Sequence, residues 1–278
     1  MDKTLLKGLQ VLEFLAEAGG ELTLAEITDI TGLQKSNAHR VLQTFVHAGY
    51  VSPGSQRGAY KLSLKLWQLG NHVIERNDFR TAARPAMELL SRQTGHTVLL
   101  ATLDGMEAVY IDKIDAVKPY GAISKIGGRI PIHSTSLGKV LLAHDATGLI
   151  DRLSYPLKRF SKQTITSRSG LKKELTQICE CGYSVNRGES TAPIWSVAAP
   201  IYDARGRAYV AVSIAWPELE SRKKPESKYV PLVLEAARGI SSSLGYTPCR
   251  ATGTTALPKP LSRRGQVSAI AGRLNEPN

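Results

Sequence analysis

Cysteine and long apolar stretches are both scarce in this chain of 278 residues. Three cysteines are a small and odd number, so we expect no disulfide framework. Cys179 and Cys181 lie close together, but no second pair of metal ligands follows them at a suitable spacing. We therefore expect reduced thiols there, with no metal site and no cofactor. No stretch approaches the run of about 18 apolar residues that a membrane helix needs, so we expect no membrane span.

The N-terminus lacks the basic and then apolar pattern of a secretory signal peptide. We therefore expect a cytoplasmic protein. A hydrophobic content of 42% and a charged content of 22% are ordinary for a globular chain. A length of 278 residues exceeds one minimal domain and suits two.

Acidic residues are absent from residues 30–74, although residues 1–76 as a whole carry eight Lys/Arg and seven Asp/Glu. The basic residues of this stretch are Lys35, Arg40, Arg57, Lys61 and Lys65. The whole chain has a formal net charge of +12. A local basic surface in a balanced domain is typical of a face that contacts nucleic-acid phosphates. The alternative is a chance gap in Asp and Glu on a solvated face.

Two short helices are predicted near the N-terminus. The first covers residues 4–18, because apolar side chains recur there at helical spacing. These are Leu5, Leu9, Leu12 and Leu15. The second helix begins at a capping box, in which Thr23 and Glu26 can each accept a backbone N–H of the first turn. Gly32 ends it.

A third helix is predicted from residue 34 or 35 to about His47, and its buried stripe includes Ala38 and Leu42. The second and third helices are short and are joined by a tight turn at Gly32, which is the arrangement of a helix-turn-helix. Two short strands at residues 50–51 and 60–62 then enclose a turn-rich segment. A hairpin directly after the third helix is a wing.

The exposed side chains of the third helix have the chemistry of a DNA-reading surface. Arg can pair with guanine and Asn with adenine, while Ser at a helix start favours phosphate. Arg57 at the tip of the wing can enter the minor groove or contact phosphate. The residues predicted to contact double-stranded DNA are Gln34, Lys35, Ser36, Asn37, His39, Arg40, Gln43 and Arg57. The alternative is a winged helix used for protein contacts, with these residues merely solvated.

The chain is predicted to contain four segments, which are two domains, a linker helix between them and a tail. Residues 1–62 form the winged helix-turn-helix, and residues 63–77 form a linker helix. Its stripe of Leu62, Leu66, Leu69 and Val73 suits packing on a partner in a dimer. Residues 78–246 form the larger domain. Residues 247–278 are rich in Pro, Gly, Ser and Arg, which predicts a disordered basic tail.

The larger domain alternates helices with hairpins. Predicted helices cover residues 79–94, 136–144, 171–181 and 231–244. Predicted strands cover residues 97–103, 108–114, 183–185, 197–202 and 208–215. This order indicates an α+β fold with a mainly antiparallel sheet. His133 lacks a local acidic partner and no Gly-x-Ser-x-Gly elbow exists, so we expect a structural histidine and no enzyme. The alternatives are a small-molecule enzyme with a DNA-binding appendage and a pure protein-interaction module.

The chain resembles the IclR family of bacterial regulators over residues 4–245. The N-terminal fragments that carry the resemblance are LAEI at 24–27, TGL at 31–33, KSNAHRVL at 35–42 and GYV at 49–51. The C-terminal fragments are YID at 110–112, GRIPIHS at 128–134, GKVLLA at 138–143, GY at 182–183 and VAAPI at 197–201. Their order and spacing are specific. The resemblance implies a GAF-like effector domain, palindromic operators, a homodimer or a dimer of dimers, and repression more often than activation.

The resemblance also implies a pocket for a small organic acid, with sugar acids and aromatic acids as the known classes. Carried over by motif, the effector-binding residues are Ser136, Leu137, Asn186, Ser196, Ser213 and Ala215. We add Trp195, which flanks the site in sequence as Trp216 does and suggests an aromatic or larger ligand; packing at strand ends is the alternative for both. Asn186 stands where relatives often have Asp, and Ser196 where several have Cys. These two departures leave the identity of the effector open.

Overall fold

A computed structural model of the protein describes residues 3–75, 79–116, 124–191, 193–221 and 226–247. The chain divides into two compact units, Met1–Asn77 and Asp78–Asn278. Apart from residue 247, the predicted disordered tail lies outside the described residues, as does the side chain of Val73. Among the described residues, none of the helices has the length and apolar character to cross a membrane.

The first unit contains a helix-turn-helix followed by a hairpin. Its elements are α1 (Lys3–Ala18), β1 (Leu22–Thr23), α2 (Leu24–Thr31), α3 (Lys35–His47), β2 (Val51–Pro53), β3 (Ala59–Leu62) and α4 (Leu64–Glu75). The capping box of α2 is confirmed, because the Glu26 N–H donates to Thr23 Oγ1 and the Thr23 N–H donates to Glu26 Oε2. Strand β1 was not predicted; it pairs with β3 in the sheet order β1-β3-β2.

The core of the first unit lies between its helices and the hairpin. The four leucines that predicted α1 differ in environment: Leu12 and Leu15 pack into this core, but Leu5 and Leu9 are 60% and 47% exposed. Gly8 is buried on the inward face of α1, where an added Cβ would lie 3.2 Å from the Phe45 ring. The missing side chain at Gly8 thus lets α1 approach α3 closely.

The second unit contains a six-stranded sheet with helices on both faces. Its elements are α5 (Phe79–Thr94), β4 (Thr97–Asp104), β5 (Glu107–Ile114), β6 (Arg129–Pro131), α6 (Ser136–Ala143), α7 (Leu149–Arg152), α8 (Arg168–Cys181), β7 (Ser184–Arg187), β8 (Ile194–Ile201), β9 (Val210–Pro217), α9 (Glu218–Ser221) and α10 (Val230–Ser243). Every neighbouring pair in the strand order β6-β5-β4-β9-β8-β7 is antiparallel. The mainly antiparallel sheet is confirmed, whereas β6, α7 and α9 were not predicted.

The two faces of this sheet bury different side chains, because successive residues of a strand point to opposite sides. One face packs against α5 and α10 through larger residues such as Leu100 and Ile214. The other face packs against α6 and α8, and three of its residues are the alanines Ala101, Ala198 and Ala211.

Candidate DNA-reading surface and effector cavity

Helix α3 presents its predicted DNA-reading residues to solvent. Ala38 and Leu42 are buried in the core of the first unit. The exposed residues are Gln34, which precedes the helix, and Lys35, Ser36, Asn37, His39, Arg40 and Gln43. Their exposure is as expected from the helical spacing, and their contact with DNA stays a prediction. Arg57 in the turn between β2 and β3 is also exposed.

Two basic residues of the acid-free stretch bond to other groups of the first unit. Lys61 lies 3.3 Å from Glu21, measured from Nζ to Oε1. Lys65 Nζ donates to the Ala48 carbonyl at 2.7 Å, at the end of α3. Among the described residues, the basic residues of the stretch with neither an ion pair nor a side-chain hydrogen bond are Lys35, Arg40 and Arg57. All three belong to the predicted DNA-contacting set.

Glu21 anchors the turn of the wing. Its Oε2 accepts the Ser55 N–H at 2.6 Å and the Ser55 hydroxyl at 2.8 Å. An added Cβ at Gly54 would come within 2.5 Å of the same oxygen. The Ser55 hydrogen bonds lower the pKa of the Glu21 carboxyl, which stays ionised near neutral pH. This contact could not be predicted from local sequence patterns, because Glu21 and Ser55 are 34 residues apart.

A cavity of about 120 Å³ lies between the sheet of the second unit and the start of α6. Six of the seven predicted effector-binding residues line it: Ser136, Leu137, Asn186, Ser196, Ser213 and Ala215. Lining residues that sequence reasoning missed include His96, Thr97, Leu99, Tyr110, Ile130, Ser190 and Thr191. They come from β4, β5, β6 and the loops, so the motif fragments gave no indication of them.

The prediction that Trp195 contacts the effector is wrong, because alternate residues of strand β8 point to opposite faces of the sheet. Ile194 and Ser196 line the cavity, so the intervening Trp195 points to the opposite face of the sheet. There it packs against the cluster that includes α5 and α10. Trp216 does line the cavity, and its ring lies 6.1 Å from the His96 ring.

Four polar residues of the predicted site are buried in the cavity wall, namely Ser136, Asn186, Ser196 and Ser213. Ser136 Oγ and Ser196 Oγ are 2.7 Å apart, and Asn186 Oδ1 accepts the Glu189 N–H at 2.7 Å. Ser213 is only 1% exposed, yet its Oγ has no hydrogen-bond partner among the described residues. A buried hydroxyl without a partner costs free energy. Ser213 is therefore suited to a polar group of a bound molecule.

The described lining of the cavity contains no Lys, Arg, Asp or Glu. Burial raises the pKa of the lining residue Tyr110 to about 12, so its hydroxyl stays neutral. Helix α6 begins at the cavity, where Thr135 caps it by accepting the Gly138 N–H at 3.1 Å. The positive end of the helix dipole thus attracts an anion. No lysine or arginine of the described lining provides such an attraction.

Lys139 lies one turn beyond Ser136 on α6 and is fully buried. Its Nζ donates to Glu174 Oε1 at 2.7 Å, to the Val185 carbonyl at 2.9 Å and to Glu189 Oε1 at 2.7 Å. Burial raises the pKa of Glu189, while Lys139 acts in the opposite direction. Sequence reasoning missed this cluster, although a lysine inside an otherwise apolar helix was a usable indication.

His133 has a structural environment. Its Nε2 donates to the Lys158 carbonyl at 2.9 Å, and its ring lies 5.7 Å from the Phe160 ring. Burial lowers the pKa of His133. The hydrogen bond and the ring contact account for its position beside the loop that follows α7.

Both units match models of one protein family. Residues 4–53 match the IclR helix-turn-helix domain, and residues 71–242 match the bacterial transcriptional regulator IclR C-terminal domain. This chain belongs to the IclR family. XynR of Escherichia coli K12 is 33% identical over 242 residues, which cover 86% of this chain and 96% of that protein. KdgR of the same organism is 34% identical over 247 residues, which cover 87% of this chain and 93% of that protein.

A solved structure extends the comparison to the fold. An IclR homolog from Microbacterium hydrocarbonoxydans, complexed with 4-hydroxybenzoate, is 27% identical with a TM-score of 0.78. The match covers 87% of this chain and 99% of that one. The α+β fold, with an N-terminal helix-turn-helix and a C-terminal antiparallel-sheet domain, is confirmed. Because its relatives are named transcriptional regulators, this IclR-family protein is a DNA-binding regulator and not an enzyme.

Proposed function

We propose that this IclR-family regulator binds a palindromic operator as a homodimer and is controlled by a small organic acid in the cavity of its second unit. The observation that carries the effector half is the buried, unpaired hydroxyl of Ser213 on the cavity wall. The DNA-reading half rests on the exposed residues of α3 and on Arg57. Because several relatives are named repressors, we infer repression as the outcome, exerted in the cytoplasm where bacterial DNA lies.

An organic acid fits the polar part of the cavity. The hydroxyls of Ser136, Ser196 and Ser213 and the amide of Asn186 can donate hydrogen bonds to a carboxylate. The start of α6 favours negative charge, and no acidic side chain of the described lining opposes it. A small number of polar groups in a mostly apolar wall is typical of small-molecule sites.

The size and apolar lining favour an aromatic acid. A cavity of about 120 Å³ is comparable with the engineered cavity of roughly 150 Å³ that binds benzene. Tyr110 and Trp216 supply aromatic wall, and Leu99, Ile130 and Leu137 supply aliphatic wall. The homolog complexed with 4-hydroxybenzoate has a similar fold, with a TM-score of 0.78. We therefore infer a ligand of the size and chemistry of a hydroxybenzoate.

The exposed apolar surface of α4 supports the homodimer. Leu64, Trp67 and Leu69 are 78%, 65% and 45% exposed. Leu64 and Trp67 are three residues apart and so share one face of α4, and exposed large apolar side chains on one helix face mark an interaction surface. A second copy of the chain would cover it and would bring two DNA-reading units to the two halves of a palindrome. Pairing of two such dimers into a tetramer is compatible with this arrangement.

Control by the acid requires that it bind one conformational state more tightly than another. We infer that the acid-bound state and the acid-free state differ in operator affinity. The residues 63–77 that we assign to the linker are the covalent route between the cavity domain and the DNA-reading domain.

Ser213→Ala in the full-length chain tests the effector half. Removing an unpaired buried hydroxyl should leave the melting temperature unchanged or raise it, and should weaken binding of 4-hydroxybenzoate about tenfold. Ser241→Ala is the control, because the Ser241 hydroxyl bonds to Ala237 and Tyr202 outside the cavity. That variant should lose stability and keep its affinity for the acid.

A thermal-shift series with 4-hydroxybenzoate, sugar acids and keto acids identifies the ligand class. A shift with 4-hydroxybenzoate alone supports an aromatic effector, and a shift with a non-aromatic acid alone replaces the aromatic class by that one. Unchanged acid affinity in Ser213→Ala would remove Ser213 from the site. No shift with any of these acids would contradict the effector proposal.

A further inference from the structure

Residues 185–191, here named the wall segment, form one side of the cavity. Asn186, Ser190 and Thr191 line the cavity from this segment. Val185 and Glu189 instead contact Lys139, which lies behind the cavity on α6. The wall segment is therefore bonded to α6 through a side chain that does not itself line the cavity.

Lys139 contacts the wall segment on both sides of Asn186. Val185 precedes Asn186 and accepts a hydrogen bond at 2.9 Å, whereas Glu189 follows it and accepts one at 2.7 Å. The Glu189 N–H also donates to Asn186 Oδ1. The third bond of Lys139 Nζ goes to Glu174 on α8. An ammonium group has three N–H donors, so each donor of Lys139 has a partner and the side chain is fixed.

The same helix contacts the neighbouring strand of the cavity. Ser136 lies one turn before Lys139, and its Oγ is 2.7 Å from that of Ser196. Ser196 is the residue opposite Asn186 in the pairing of β7 with β8. A displacement of the wall segment from α6 would therefore move Asn186 and disturb the adjacent pair of serine hydroxyls together.

We propose that Lys139 is a positioning residue for effector binding, which acts by fixing the wall segment against α6 so that Asn186 faces the bound acid. This role rests on the effector function proposed above, whereas the ordering of the wall segment by Lys139 is testable without any effector. Burying an ammonium group carries a desolvation cost that an apolar side chain would avoid. The bonds to Val185 and Glu189 are what lysine adds at this position.

Glu189→Ala is the test variant and Glu174→Ala its matched control in the full-length chain. Each removes one carboxylate that lies 2.7 Å from Lys139 Nζ, and each leaves the other in place. Only Glu189 belongs to the wall segment. Glu189→Gln is the conservative variant, because its amide oxygen can still accept from Lys139.

Hydrogen exchange measured by mass spectrometry without effector tests the ordering role. We expect exchange in peptides of the wall segment to be about tenfold faster in Glu189→Ala, since a charged hydrogen bond is lost. Glu174→Ala should leave those peptides unchanged, and Glu189→Gln should restore most of their protection. Unchanged exchange in Glu189→Ala, equal acceleration in Glu174→Ala, or acceleration spread evenly over the second unit would overturn the proposal.

Titration calorimetry with 4-hydroxybenzoate as the probe tests the link to binding. We expect the dissociation constant to rise about tenfold in Glu189→Ala, to recover in Glu189→Gln and to stay at the wild-type value in Glu174→Ala. Equal affinity in all variants would overturn the positioning role. If the wild type binds no 4-hydroxybenzoate while the exchange pattern is as expected, the aromatic effector fails and the ordering role of Lys139 is upheld.

Discussion

The two units of this regulator hold their functional residues in opposite environments. On α3 the side chains predicted to read DNA are exposed, and Ala38 and Leu42 complete the core beneath them. In the second unit the proposed effector residues are themselves buried, with Asn186 bonded to its own loop and Ser136 to Ser196. The residues of the first site lie on the surface and do not contribute to the core, whereas the residues of the second site are themselves buried in the core of their unit. Substitutions should therefore separate function from stability in the first unit. In the second unit they should couple the two, except at Ser213, whose hydroxyl has no partner among the described residues.

Gly138→Ala should have the largest effect on stability. An added Cβ would lie 2.4 Å from Ile132 Cα and 2.7 Å from the Pro131 carbonyl, both backbone atoms. Because backbone cannot move aside cheaply, we expect a loss of about 3 kcal/mol in unfolding free energy. Urea unfolding measures it. Gly239→Ala on α10 is the control, since no atom lies within 4 Å of its added Cβ; it should be neutral or stabilising. Equal behaviour of the two variants would refute the close packing inferred for α6.

Arg40→Ala in the first unit should weaken DNA binding without a loss of stability. Arg40 is exposed and has no ion-pair partner among the described residues, so its removal should leave the melting temperature unchanged. We expect operator affinity to fall roughly thirtyfold at matched salt, as for loss of a base or phosphate contact. Fluorescence anisotropy on a duplex selected from a random pool by the wild-type chain measures this. Arg92→Ala, an exposed arginine of the second unit, should bind as the wild type does. Wild-type affinity in Arg40→Ala would contradict the assignment of α3.

Glu21→Ala separates the effect of charge from the effect of geometry, because the two predict opposite changes in DNA affinity. Removing a negative charge near DNA should by itself strengthen binding. Losing the bonds to Ser55 should loosen the wing that carries Arg57, and we expect this effect to prevail with about threefold weaker binding. Glu17→Ala makes the same charge change at an exposed position of α1. If both variants bind the same duplex more tightly to an equal extent, Glu21 does not position the wing.

The pH dependence of stability should show the smallest effect, located at Glu189. Burial raises the pKa of Glu189 in the folded protein, with Lys139 opposing the shift and Glu174 adding to it. A raised folded pKa means that the stabilising contribution is complete below the unfolded pKa and is lost as the pH rises through the folded pKa. Relative to Glu189→Gln, which does not titrate, the wild type should lose stability as the pH rises from the ordinary pKa of a glutamate through the raised folded pKa of Glu189. Urea unfolding of both proteins across this range gives the difference, and a difference that is flat or of opposite sign would show that burial of Glu189 does not control its titration.

Features set by neighbouring residues could be predicted from the sequence. The bounds of α3 and the capping box of α2 follow from spacings of three or four residues, and both were predicted. The helix α1 was also predicted, but periodicity did not tell that Leu5 and Leu9 would be exposed while Leu12 and Leu15 meet the core. Trp195 was misplaced because a shift of one residue along β8 moves a side chain to the other face.

Long-range contacts could not be predicted in this way. Lys139 and Glu189 are 50 residues apart, and Glu21 and Ser55 are 34 apart. No local pattern marks such pairs, since the fold alone brings them together. The family resemblance supplied six of the eighteen lining residues of the cavity. It could not indicate that Ser213 has no hydrogen-bond partner among the described residues or that Lys139 bonds to the wall segment.

The central claim is that a molecule in the buried cavity of the second unit controls DNA binding by the exposed surface of the first. Operator affinity of the full-length chain, measured by anisotropy with and without saturating 4-hydroxybenzoate, tests it most directly. We expect the acid to change the affinity by about tenfold, and Ser213→Ala to need about tenfold more acid for the same change. An operator affinity that stays constant while thermal shift shows the acid to be bound would contradict the account.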